Sequence, residues 1–264
     1  SYYLTGNITG VAAKHGIEIA VAASGPSVTI DLMGYELAGV AGSLDGISVT
    51  VANTLNVAIR NGTVRAWVGD GVDVFNSSNN LLENLRVESN GGRGISAGNV
   101  STVTGCTAYL NTGDGIFASF GSTVTGCTSS FNAGDGISAG GGSTVTSCTA
   151  RANTGDGIQV GDDCRVTDNT CDSNGNFGDG AGIHATFSDN RIEGNNCTDN
   201  DRGIDVDSSG NIIIRNTCSG NTDNWDVVAG NVILVVNATA AGAVTGNSGG
   251  VAPGSTDPNA NFTY

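Results

Sequence analysis

Residues 101–150 read STVTGCTAYLNTGDGIFASFGSTVTGCTSSFNAGDGISAGGGSTVTSCTA, and one heptapeptide returns almost unchanged within them, at 101, 122 and 143. The interval is 21 residues. Outward from this core a Gly-Ile signature, often extended to Gly-x-Gly-Ile, places an apolar residue at Ile17, Ile47, Val72, Ile95, Ile116, Ile137, Ile158, Ile183 and Ile204, with Trp225 next in line. Successive gaps are 30, 25, 23, 21, 21, 21, 25, 21 and 21, so one coil is 21 residues plus loop insertions. A fixed period of this length marks a solenoid.

A second column keeps the same register. Asparagine precedes the signature at Asn90, Asn111, Asn132, Asn153, Asn174, Asn200 and Asn221. Amides stacked at the strand spacing of about 4.8 Å donate to one another and satisfy buried turn groups, an asparagine ladder. Between successive ladder positions the coil reads as three short strands, for example 95–97, 102–104 and 106–108. Alternation predicts Ile95, Ala97, Val103, Cys106 and Ala108 inside, and Ser96, Thr102, Thr104 and Thr107 outside. Two inward residues three apart cannot share a straight strand, so the chain must turn at Thr104-Gly105. Such a coil has no room for a ten-residue helix, and no hexapeptide period points to a left-handed solenoid. The predicted fold is an all-β, right-handed parallel β-helix of about ten coils.

Residue by residue, the chain resembles the right-handed parallel β-helix repeat proteins, which include pectate lyases, polygalacturonases, alginate-modifying enzymes and phage tailspikes. SYYLTGNITG at 1–10, VTIDLMGYEL at 28–37, LNVAIRNGTV at 55–64 and DPNANF at 257–262 look like a group of secreted bacterial β-helix proteins without an assigned activity. The resemblance covers essentially the whole chain and implies the fold. The motifs of its enzymatic branches are missing: there is no Asn-Thr-Asp with paired Asp-Asp and His-Gly, and no Asp-Pro-His-Asp. Fold alone does not carry function.

The remaining expectations concern organisation. Residues 1–236 form the β-helix with longer early coils, and residues 237–264 a capping segment of the same domain. Insertions at 22–27, 33–44, 65–70 and 175–180 are expected as loops. Of the 264 residues, 42 are glycine and 3 proline; the many short Val, Ile and Thr runs oppose disorder, and the lack of a strict Gly-X-Y period excludes collagen. Acidic residues outnumber basic ones 25 to 10, for a net charge of −15. The lone lysine, Lys14, and scattered arginines make no basic stripe, which argues against nucleic acid as a partner. No stretch reaches the roughly 18 apolar residues of a membrane span, and a start at Ser1 within a strand suits a trimmed product. A secreted or cell-surface location follows, as a monomer or as an end-to-end or lateral homo-oligomer.

Seven cysteines fall into inward columns: 106, 127 and 148; 171, 197 and 218; and Cys164 with Ser101, Ser122 and Ser143. They read as free thiols filling the core. Turn aspartates Asp114, Asp135 and Asp156 recur two residues before the Ile column. Three carboxylates about 5 Å apart repel unless bridged, so calcium is one reading and bonding to turn amides the other.

The outward column of the Ile strand is Asp73, Ser96, Phe117, Ser138, Gln159, His184, Asp205 and Asp226, with Asp207 beside Asp205. His184, Asp205, Asp207 and Asp226 are the candidate catalytic set, an imidazole among carboxylates suited to acid/base work; Gln159, Tyr109, Phe117 and Arg202 are candidate substrate contacts. Surface decoration is the competing reading, since the solenoid stacks any two residues of a column. Threonines 102, 123 and 144, with 104, 125, 146 and 167, form an outward array that resembles the ice-binding face of β-solenoid antifreeze proteins, although threonine is an ordinary strand residue. The leading functional expectation is a binding or display protein for an extracellular polysaccharide. A polysaccharide lyase, hydrolase or epimerase and a structural fibre or adhesin are the alternatives.

Overall fold

The computed structural model describes residues 1–21, 27–175, 178, 180–237 and 257–264. Among them the Ile column forms one ten-stranded parallel sheet, from Ile17–Ile19 through Ile95–Ala97 and Ile116–Ala118 to Ala181–Ala185, Arg202–Val206 and Asp223–Val227. Ile17 pairs with Ile47, Ile95 with Ile116, Ile183 with Ile204, and Ile204 with Trp225. Every link in the column is the one the repeat predicts. A chain that returns to the same parallel sheet after each circuit coils right-handedly, and no helix occurs among the described residues.

The rest of each coil lies in a 21-stranded sheet. In the regular coils it consists of two short strands, such as Thr102–Thr104 and Thr107–Tyr109. Gly105 and Gly126, both at φ +62°, occupy the corner between them. Two earlier coils differ: Val57–Arg65 and Leu81–Glu88 are continuous strands. They still turn within their length, at Asn61 (φ +60°) and Asn84 (φ +53°), because asparagine tolerates the left-handed region. The Thr-x-Thr array is in register, Thr102 with Thr123 and Thr144, Thr104 with Thr125 and Thr146.

Inside, Ile47, Val72, Ile95, Ile116, Ile137, Ile158, Ile183 and Ile204 are fully buried, as are Ala97, Val103 and Ala108. All seven cysteines are buried and free. Residues 66–70 hold no strand, as expected of a loop, but the loop does not stand on the surface: the ring of Trp67, the largest fully buried side chain among the described residues, fills the early core and its Nε1 donates to the Leu37 carbonyl at 3.2 Å. The expected loop at 33–44 likewise contains the strand Glu36–Ala38, paired with Thr63–Arg65 and carrying fully buried Leu37. Both segments lengthen the coil circuit rather than leave it. Of the other two insertions, residues 22–26, 176, 177 and 179 lie outside the described residues, as do residues 238–256 of the expected cap. The strand Asn261–Thr263 lies alongside Val235–Asn237 and Thr217–Ser219 as one more parallel strand.

The asparagine ladder runs unbroken from Asn90 to Asn221. Each Nδ2 donates to the Oδ1 of the next asparagine at 2.9–3.0 Å, and that oxygen also accepts the backbone amide of the preceding ladder residue. This explains the glycine before each isoleucine. A Cβ on Gly115 would lie 2.6 Å from Asn132 Nδ2, and one on Gly136 2.6 Å from Asn153 Nδ2.

Two further ladders were not anticipated. Asn169, Asn195, Asn216 and Asn261 continue the corner that begins as the Cys106-Cys127-Cys148 column, and Asn190, Asn211 and Asn231 continue the Ser101-Ser122-Ser143-Cys164 column. Cys and Ser occupy these corners in the most regular coils, following Asn80 in the Ser101 column, and asparagine takes them in later coils, which hid the continuity. Replacing Asn132 by Ala leaves the buried amides of Asn111 and the Nδ2 of that residue without their acceptor, at a cost of about 1–3 kcal/mol per unsatisfied group. Urea titration should show Asn132→Ala destabilised by about 2–5 kcal/mol; a loss well under about 1 kcal/mol would refute this role for the ladder.

Candidate functional site

The column predicted to face outward from the Ile sheet is continuous. Asp73 pairs with Ser96, Ser96 with Phe117, Phe117 with Ser138, Ser138 with Gln159, Gln159 with His184, His184 with Asp205 and Asp205 with Asp226. Neighbours in the column are about 4.8 Å apart, so Phe117 and His184, three coils apart, share one face about 14 Å long.

The turn preceding this sheet is built from aspartates. Asp114 Oδ1 accepts the amide of Asp135 at 3.0 Å, Asp135 Oδ1 that of Asp156 at 2.9 Å, and Asp156 Oδ1 that of Ala181 at 2.6 Å. Asp45 and Asp70 do the same for Asp70 and Arg93. One oxygen of each carboxylate thus serves as a backbone acceptor, and in Asp114 and Asp156 the other meets a cationic partner: Arg93 Nε at 3.0 Å for Asp114, His184 Nδ1 at 2.8 Å for Asp156. Burial, then the charge of Asp156, pushes the Asp135 carboxyl up to about 6. Among the described residues, Asp114, Asp135 and Asp156 do not converge as a metal-ligating group. The one group whose ligand atoms all lie within 4.8 Å of one another is His184, Asp205 and Asp207.

His184 is held at both ring nitrogens, by Asp156 Oδ2 at 2.8 Å and by Asp207 Oδ2 at 3.1 Å. The bond to Asp156 leads the causes that push the imidazole up to about 9, against the opposing effect of burial. At neutral pH it is a cation between two carboxylates, which makes it a proton donor rather than a base. Arg202 Nη1 donates to Asp205 Oδ2 at 3.0 Å, and its Nε lies 3.2 Å from Asp226 Oδ2. Burial pushes the Asp205 carboxyl above the usual range, while His184 and Arg202 oppose the shift. Although Asp205 points away from the core, its side chain is only 7% exposed, whereas those of Asp207 and Asp226 are 57% and 51% exposed. A ligand therefore meets Asp207 and Asp226 first.

His184, Asp205, Asp207, Asp226, Arg202 and Gln159 come together, and Phe117 lies on the same face with the Arg93 guanidinium 4.1 Å above its ring and the Phe75 ring 6.0 Å away. Tyr109 does not join them. It belongs to Thr107–Tyr109 of the other sheet, where it meets Phe131 edge-on at 5.7 Å. Asp156, read either as a calcium ligand or as an acceptor of turn amides, accepts the Ala181 amide and also meets His184 Nδ1. Arg93 and Phe75 were missed as partners of Phe117, although Arg93 occupies the turn position of the aspartates one coil earlier.

Comparison with known proteins matches residues 45–190 to a family model described as the right-handed β-helix region. No curated protein matches the chain. Among solved structures, the A-module of mannuronan C-5 epimerase AlgE4 from Azotobacter vinelandii superposes with a TM-score of 0.61 at 14% identity, covering 84% of this chain and 80% of that one. The AlgE6 A-module from the same organism gives 0.60 at 15%, covering 87% and 79%. Pectate lyase Pel9A gives 0.48 at 17%, covering 88% and 63%.

The His184 ion pairs have a pH signature. A folded-state value near 9 lies above the unfolded value of about 6.5, so the stabilisation is complete below the unfolded value and disappears as pH rises through 9. In chelator-treated protein, the stability of wild type relative to His184→Gln, followed by urea midpoints, should therefore fall between about pH 7 and pH 10. A difference flat across that range would contradict the ion-paired assignment.

Proposed function

As this chain belongs to the right-handed β-helix family, we propose that it binds an extracellular polysaccharide along the outward face of the ten-stranded sheet. The carrying observation is the single outward column that leads from the Phe75-Phe117 pair with Arg93, past Ser138 and Gln159, to His184, Asp205, Asp207 and Asp226. A sugar ring has an apolar face suited to Phe117 and hydroxyls suited to carboxylates and amides. The advance per coil, about 4.8 Å, is close to the length of one sugar in an extended glycan, so successive coils can meet successive sugars. Two structures of the same fold are named for action on mannuronan, itself a polysaccharide.

Charge narrows the ligand. With a net charge of −15 and exposed Asp207 and Asp226, the face repels a polyanion in the absence of a cation, and a neutral glycan fits best. Binding rather than turnover is the reading favoured by a protonated His184 and by an Arg202 shared between two carboxylates. Action on such a ligand implies a secreted or cell-surface protein.

A glycan array followed by calorimetry on its hits tests the proposal. Phe117→Ala should weaken binding about two- to tenfold, the worth of one aromatic contact, and Asp207→Asn should weaken it as well. Tyr109→Ala, on the other sheet, should not. Equal losses from Tyr109→Ala and Phe117→Ala, or an array without hits, would remove this reading. The enzymatic alternative rests on the His184-carboxylate cluster: glycan cleavage, followed by unsaturated-product absorbance and reducing ends, that is lost in His184→Ala would establish catalysis instead.

A further inference from the structure

We propose that His184, Asp205 and Asp207 form a binding site for a divalent transition-metal ion of the zinc class, with His184 Nε2 and one oxygen of each carboxylate as ligands. The inference does not depend on the glycan reading. The three ligand atoms lie within 4.8 Å of one another, and the fold explains why: His184 and Asp205 are paired neighbours on adjacent coils, and Asp207 lies two residues further along, on the same face as Asp205.

Two observations beyond this proximity point to a cation. The first is the support of the imidazole from behind. Asp156 lies outside the ligand group, its side chain is only 9% exposed, its Oδ1 is fixed by the Ala181 amide at 2.6 Å, and its Oδ2 meets His184 Nδ1 at 2.8 Å. A carboxylate on the rear nitrogen sets the tautomer and orientation of a metal-ligating histidine, here leaving Nε2 to face Asp207 Oδ2 at 3.1 Å. The second is Asp205. Its side chain is more than nine-tenths buried, yet its only hydrogen bond among the described residues is from Arg202 to Oδ2, so its other oxygen has none. That oxygen is not sealed in the interior, so it is open to a cation as well as to water.

The ligand set selects the ion. Calcium and magnesium take oxygen ligands, whereas imidazole with carboxylates suits zinc and its first-row neighbours. Three protein ligands leave a position open to water or to a further ligand. When the ion replaces the proton on Nε2, that proton passes to solvent and the face gains one unit of positive charge.

The test is calorimetric titration of chelator-stripped protein with zinc chloride and, separately, calcium chloride near pH 7.5, in two buffers of different ionisation enthalpy. One zinc ion per chain is expected, bound more tightly than calcium and with release of about one proton. His184→Ala should reduce zinc affinity to the calcium level, and Asp156→Asn should reduce it about ten- to a hundredfold. His15→Ala, which removes the other histidine-aspartate contact at Asp45, should leave it unchanged. Equal affinity for zinc and calcium, or zinc binding untouched by His184→Ala, overturns the proposal. Should His184→Ala fail to fold, X-ray absorption at the zinc edge of the wild-type protein decides: an imidazole ligand supports the site, and an oxygen-only shell refutes it.

Discussion

Each coil of this solenoid buries turn amides that water cannot reach, and the side-chain amide of asparagine satisfies them. Its oxygen accepts both the backbone and the side-chain amide of the coil before, and its nitrogen donates to the coil after. Since an unpaired buried donor is costly, the ladder holds successive coils at one strand spacing and in one register. The rest follows from that register. Glycine must precede the isoleucine because a Cβ there would collide with the ladder nitrogen, and the isoleucines of successive coils stack because their coils cannot slip.

The same repeat makes the surface chemistry collective. A column of aspartates at one turn would repel itself were its oxygens not divided between two tasks. One oxygen of each of Asp114, Asp135 and Asp156 accepts the next coil's amide. Arg93 and His184 take the remaining oxygens of Asp114 and Asp156. Asp135, between them, has no cation of its own among the described residues, and burial together with the charge of Asp156 pushes its carboxyl up to about 6. The column thus places its positive charge at its two ends, and one of these ends is the histidine of the candidate site.

Legibility followed regularity. The Ile column, the first asparagine ladder and the outward alignment of His184 with Asp205 and Asp226 could be read because each recurs at the coil period with a recognisable residue. The second and third ladders were hidden by Cys and Ser at the same corners in the most regular coils. Leu37 was read as a loop residue and Trp67 as part of a surface loop because extra length in a coil looks like an insertion, although here it wraps a bulky core. The contact of Asp156 with His184 was not read because spacing tells which residues stack, not which way a turn side chain reaches.

The sequence by itself determined the coil period, the inward and outward faces and the membership of each column, since a strand alternates by necessity and a ladder tolerates no slip. Tertiary structure alone decided which oxygen of each aspartate is free, that His184 is gripped from both sides, that Asp205 is covered although it faces outward, and that Tyr109 lies on a different sheet from Phe117. Those outcomes depend on side-chain reach across neighbouring coils, over distances shorter than one rung, and a one-dimensional repeat carries no record of them.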